Sequence, residues 1–147
     1  MKKTFKSRSS ADTFNFGLAW GKELSGGEII LLSGILGVGK TVFARGVAKA
    51  LKVKNKITSP TFNIFRVYDC QLSGKKKGKL YHFDCYRLRK YQELVNLGFE
   101  EIIKDKNSVV LLEWPERFLK KHWEKNFLPR RVNISLDKEG TRTIKVK

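Results

Sequence analysis

Residues 34–41 read Gly34-Ile35-Leu36-Gly37-Val38-Gly39-Lys40-Thr41, which fits the phosphate-binding pattern G-x-x-x-x-G-K-[ST] without a gap. Before it stands Glu28-Ile29-Ile30-Leu31-Leu32-Ser33, an apolar run of buried-strand length. After it, the stretch from Val42 to Leu51 places Phe43, Val47, Ala50 and Leu51 on one helical face. Strand, glycine loop and helix thus follow in the order that a triphosphate cradle needs. Gly34 and Gly39 allow positive φ and a close approach of the backbone to a ligand. The N–H groups of the loop, through Leu36, Gly37 and Val38, can form an anion nest. A helix starting near Lys40 adds the positive end of its dipole. Lys40 is expected to reach the β- and γ-phosphates of a nucleoside triphosphate, and the Thr41 hydroxyl to ligate Mg²⁺. The competing reading is an ordinary glycine turn before a helix. A chance match in a chain of this size is on the order of one per cent at typical glycine usage.

The 147 residues suit one domain covering 1–147. A hydrophobic share of 41% argues for a packed core and against disorder. No apolar run reaches the roughly 18 residues of a membrane helix, and no apolar segment follows the basic Met1-Lys2-Lys3. Cys70 and Cys85 fit no metal spacing, and free thiols in a reducing cytoplasm are expected. His82 and His122 have no sequence partners that suggest zinc, so each reads as an ordinary strand or surface residue. The formal charge of +17 favours encounters with polyanions. Basic clusters stand at Lys2, Lys3, Lys6 and Arg8, at Lys75, Lys76, Lys77 and Lys79, and at Lys120, Lys121 and Lys125, near Arg130 and Arg131. They either touch tRNA or an acidic protein or form a solvated surface, and the second reading suits any single cluster.

Along the chain, Ser9 or Ser10 can cap a helix to about Leu24, with Phe14, Leu18 and Leu24 inward. Phe62 to Tyr68 reads as a strand and Leu80 to Asp84 as its hairpin partner, around a turn from Gln71 to Lys79. Tyr91 to Leu97 suits a helix ended by Gly98. Val109 to Leu112 reads as a buried strand, and Pro115 to Trp123 as a short helix. Arg131 to Leu136 and Thr141 to Val146 form a second hairpin.

Hydrolysis needs an acid near the metal, usually at the end of a neighbouring buried strand. Glu113 ends the run Val109 to Leu112. Its alternative is a carboxylate in a surface ion pair. Asp84 ends another strand, and alternation puts it on one side with His82, opposite Tyr81 and Phe83. It either orients water or holds the metal's water shell, or it caps the turn before Tyr86-Arg87. Thr61 follows Pro60 as a γ-phosphate sensor or an ordinary turn residue. Trp114 is either a packing residue or part of the rim near the nucleotide.

Four blocks occur in order: Gly34 to Thr41, Thr58-Ser59-Pro60-Thr61-Phe62, His82-Phe83-Asp84-Cys85-Tyr86-Arg87-Leu88, and Leu112-Glu113-Trp114-Pro115-Glu116. Together they resemble the bacterial TsaE (YjeE) family of small P-loop ATPases needed to make threonylcarbamoyladenosine in tRNA. The resemblance runs from about Thr13 to Arg142. It implies that Lys40 and the loop backbone bind ATP and that Thr41 and Glu113 ligate Mg²⁺. It further implies that Thr61 belongs to a switch-like loop, that Asp84 assists hydrolysis and that Trp114 sits by the active site. Thr13 falls where the family's N-terminal segment approaches the base. The implied partners are the transferase TsaD and its paralogue TsaB, with tRNA contacted directly or indirectly; the lack of a long apolar run predicts no membrane partner. Ile35 stands where the family usually has Asp; backbone cradling should survive that change. Cys85 stands where Leu is common, a packing change.

The expected architecture is a three-layer α/β, P-loop NTPase-like fold with a mixed, mostly parallel sheet. The expected activity is partner-stimulated ATP hydrolysis. A P-loop small-molecule kinase and a nucleotide-switched nucleic-acid-binding module remain as alternatives; the first would need an acceptor pocket and an arginine-bearing lid.

Overall fold

The apolar run ahead of the glycine loop becomes β2 (Ile29–Ser33), and its position organises everything else. A computed structural model describes residues 2–60, 62–118 and 127–147. Around β2 the elements are β1 (Lys3–Ser7), α1 (Ser10–Gly21), α2 (Lys40–Ala50), β3 (Phe65–Gln71), β4 (Lys77–Asp84), α3 (Tyr91–Asn96), α4 (Phe99–Ile102), β5 (Ser108–Glu113), β6 (Arg130–Leu136) and β7 (Arg142–Val146). The sheet order is β1-β7-β6-β2-β5-β4-β3. The middle pairs β6–β2, β2–β5 and β5–β4 are parallel, while β1–β7, β6–β7 and β3–β4 are antiparallel. The sheet is therefore mixed, with a parallel centre and antiparallel flanks.

Side chains of a strand alternate between faces, and β2 shows what that does here. Ile30 and Leu32 join Leu111 and Val132 in a core under α1 and α2. Ile29 and Leu31 join Val110, Leu112 and Phe83 in a second core under α3 and α4. Both faces of the central strands are thus covered, which is why they read as continuous apolar runs. That gives the three layers.

The helix after the loop starts at Lys40 as expected, and Gly98 ends the α3 segment in the left-handed region. Four expectations need correction. In α1 the buried residues are Thr13, Gly17, Trp20 and Gly21, while Phe14 and Leu18 are only half-buried. The inward face is chosen by small residues rather than by the apolar repeat. A Cβ on Gly46 of α2 would lie 2.2 Å from the Phe14 carbonyl oxygen, and one on Gly17 would lie 2.5 Å from that of Phe43. The two backbones touch, and only glycine leaves them room.

Strand β3 begins at Phe65, three residues later than expected. Asn63 N–H donates to the Pro60 carbonyl and Ile64 has φ of 66°, so the chain turns first. Strand β4 starts earlier, at Lys77, because Gly78 pairs with Cys70 inside the hairpin instead of forming its turn. The expected helix from Pro115 is a 3-10 turn over Pro115–Phe118; residues 119–126 lie outside the described residues. The edge strand β1 was not anticipated. It has one large apolar residue, Phe5, which stacks on Phe16 at 4.7 Å. Among the described residues no helix is long and apolar enough to cross a membrane.

The contact of the two helices yields a test. Gly46→Ala should destabilise the protein by about 1–3 kcal/mol, as overpacking does, read from the urea midpoint. An unchanged midpoint would show that α1 and α2 can part at no cost.

Candidate functional site

Because β2, β5 and β4 run parallel, their C-terminal ends lie at one edge of the sheet. Leu32, one residue before the end of β2, pairs with Glu113, and Glu113 pairs with Asp84. In-register neighbours face the same side. The two carboxylates therefore stand side by side where the chain leaves β2 for the glycine loop. A cavity of about 510 Å³ opens there, lined by loop residues Leu36, Gly37 and Gly39, by Lys40, Thr41 and Val42, and by Ser59, Asp84, Tyr86, Arg87, Glu113 and Trp114.

The glycine loop takes the conformation that its sequence implies. Gly34, Gly37 and Gly39 have φ of 153°, 77° and 115°. Gly39 caps α2, so the N-terminus of the helix faces the cavity. The Lys40 ammonium is buried and donates to the carbonyls of Gly34 at 2.6 Å and Ile35 at 3.0 Å. It also lies over the Trp114 ring, 4.3 Å from its centroid. Burial pushes the Lys40 pKa below the usual lysine value, and Glu113, Asp84 and Glu116 oppose that shift. Gly34 and Val38 support the loop from below. Val38 is buried in the first core, and a Cβ on Gly34 would meet the Ile134 carbonyl oxygen at 2.6 Å. The Ile35 side chain points outward and is exposed, so this departure from the family pattern leaves the cradle's backbone intact.

Glu113 is not in a surface ion pair. It is buried, and its Oε1 lies 2.8 Å from His82 Nε2. Asp84 caps the turn, its Oδ1 accepting the Tyr86 N–H at 2.9 Å, and it also lines the cavity. Its Oδ2 accepts from Ser59 Oγ at 3.4 Å. Trp114 likewise packs on the second core and lines the cavity, held at φ of 60°. Such a left-handed non-glycine residue carries strain that the surroundings must maintain. Thr61 lies outside the described residues. Thr13 does not line the cavity; its hydroxyl meets that of Ser7 at 2.7 Å, and its methyl stands 3.8 Å from a Cβ built on Gly39.

Sequence reading missed two contributors. Arg142, at the start of β7, donates from Nε to the Val38 carbonyl at 2.7 Å and stands beside Gly39. Nothing in a single sequence links residues so far apart. In sequence His82 reads as an ordinary strand residue; alternation puts it beside Asp84, but its neighbour across the sheet follows only from the β4–β5 pairing. Cys85 is buried in the second core, and burial with nearby Asp84 and Glu113 pushes its thiol pKa far up. Burial raises that of Cys70 to about 11, so neither is a ready nucleophile.

Among the described residues no group of three or more His, Cys, Asp and Glu side chains could hold a metal. Glu113 and Thr41 share the cavity wall, and this sparse donor set suits Mg²⁺, which is usually held by one or two carboxylates plus substrate phosphates and water. It does not suit a metal that needs an all-protein cage.

The family described as "Threonylcarbamoyl adenosine biosynthesis protein TsaE" matches residues 7–144. The chain is 38% identical over 111 residues to the tRNA threonylcarbamoyladenosine biosynthesis protein TsaE of Treponema pallidum (strain Nichols), covering 76% of this chain and 77% of that protein. It is 38% identical over 109 residues to the protein of the same name from Rickettsia prowazekii (strain Madrid E), covering 74% and 71%. The crystal structure of Bacillus subtilus YdiB matches with a TM-score of 0.73 over 99% of this chain and 84% of that chain, at 24% identity, and so shares the fold. The parallel-centred sheet with a glycine loop leading from β2 into α2 is a P-loop NTPase-like architecture. With the family pattern running from Ser7 to Ile144 around the glycine loop, this chain belongs to the TsaE family.

Proposed function

We propose that this chain is an ATPase, acting as a single domain, that supports formation of threonylcarbamoyladenosine in tRNA. The observation that carries the chemistry is the convergence of Lys40, Thr41, Asp84 and Glu113 on one cavity at the mouth of the glycine loop. Membership of the TsaE family supports the pathway.

In this reading the loop N–H groups and the N-terminus of α2 hold the phosphates of ATP. The Lys40 ammonium exchanges its loop carbonyls for phosphate oxygens. Thr41 and Glu113 would hold Mg²⁺, which when bound would offset the charge of the triphosphate. Asp84, fixed by the Tyr86 N–H, orients the attacking water. Trp114 keeps the ammonium near the phosphates through its ring face. Thr61 senses the γ-phosphate, and Thr13 supports the N-terminal segment near the base.

The rim suggests why turnover would need a partner. Leu36 on the loop is 77% exposed and Phe62, stacked under Arg87, is 84% exposed. A surface that covered these apolar groups would exclude water and strengthen the electrostatics of the site. We assign that role to the TsaD–TsaB transferase pair, with the chain working in the cytoplasm.

ATP hydrolysis should be slow alone and rise when the purified transferase pair is added. No stimulation, with normal modified tRNA in a deletion strain, would remove the assignment; steady phosphorylation of a small acceptor would replace it with a kinase. Lys40→Ala should weaken ATP binding by about 10- to 100-fold, as expected for lost charged hydrogen bonds. Glu113→Ala should instead keep binding measured in EDTA and lose Mg²⁺-dependent turnover. Arg142→Met frees the Val38 carbonyl and should weaken ADP binding about tenfold by calorimetry, with partial recovery in Arg142→Lys.

A further inference from the structure

We propose that His82 is a positioning residue for Glu113: its ring fixes one carboxylate oxygen and turns the other toward the metal. This rests on the reading of Glu113 as a Mg²⁺ ligand.

On paired strands β4 and β5, His82 stands opposite Leu111 and Asp84 opposite Glu113. His82 and Glu113 are therefore diagonal neighbours on the face that carries α1 and α2, a spacing that long side chains bridge. Their contact is 2.8 Å, with 1% and 4% of the two side chains exposed. A carboxylate in its ionised form only accepts, so Nε2 must donate. Oε1 is thereby committed, and the remaining oxygen is Oε2.

The opposite ring nitrogen shows which group benefits. His82 Nδ1 is buried and has no hydrogen-bond partner among the described residues. An unsatisfied buried polar atom is unfavourable. A residue present only to fill the core would be better apolar, as Leu80 and Leu111 are beside it. Among the described residues the only polar contact that the ring makes is to Glu113, so the ring's chemistry is spent on that carboxylate. Outer-shell partners of this kind set the orientation and affinity of metal ligands.

The decisive comparison is between His82→Gln, whose amide can reach Glu113, and His82→Asn, whose shorter amide cannot. Both bury a neutral polar side chain, so a merely structural role would affect them alike. The probe is Mn²⁺ titrated into the ADP complex and followed by electron paramagnetic resonance. ADP affinity in EDTA and the melting temperature are measured in parallel. We expect Mn²⁺ affinity to fall by about 10- to 100-fold in His82→Asn, to stay near the parent value in His82→Gln, and ADP binding in EDTA to hold in both. Equal Mn²⁺ affinities in the two variants would overturn the proposal. Glu113→Gln separates it from the reading beneath it. If that change leaves Mn²⁺ affinity intact, both fall; if it weakens Mn²⁺ while His82→Asn does not, only the positioning role falls.

Discussion

The parallel register of β2, β5 and β4 is the constraint from which the site follows. It sets Leu32, Glu113 and Asp84 in one row across three strands. A shift of one residue in any of these pairings would send a carboxylate to the opposite face. The register is held by apolar side chains that fill cores on both sides of the sheet, so a slip would expose or mispack both. Packing far from the loop thus determines where its acids stand.

A second consequence is how much charge the fold keeps inside. Lys40, Asp84, His82 and Glu113 are all buried at or beside the same sheet edge. Charges removed from water need partners. Here they have one another, backbone groups and an aromatic face: Lys40 meets two carbonyls and Trp114, Asp84 meets Tyr86 N–H, and Glu113 meets His82. The low-dielectric setting that makes such groups expensive also strengthens the pull of the Lys40 ammonium on an anion that reaches it.

The glycine loop and its flanking strand and helix were legible because the information is local: spacing, φ requirements and apolar period all lie within a few turns of chain. Glu113 was legible from its place after four apolar residues. The partner of that carboxylate was not, because His82 reaches it across a strand pairing. Arg142 was hidden for the same reason. The face of α1 was misread for a different one. Hydrophobic periodicity assumes that large side chains mark the interface, whereas Gly17, Gly21 and Gly46 let backbones meet. In β1, one aromatic among lysines, serine and threonine carries too little pattern to announce an edge strand.

The contact between Glu113 and His82 also bears on ion selectivity. If Glu113 ligates a cation as proposed, the imidazole already shares one of its oxygens, so the other is the better donor. Calcium favours six to eight oxygens and often chelates both atoms of a carboxylate, whereas a smaller octahedral ion retains its water and accepts one. On the proposed reading, a neighbouring ring that never touches the ion would disfavour chelation by both oxygens, and with it the larger of two abundant dications.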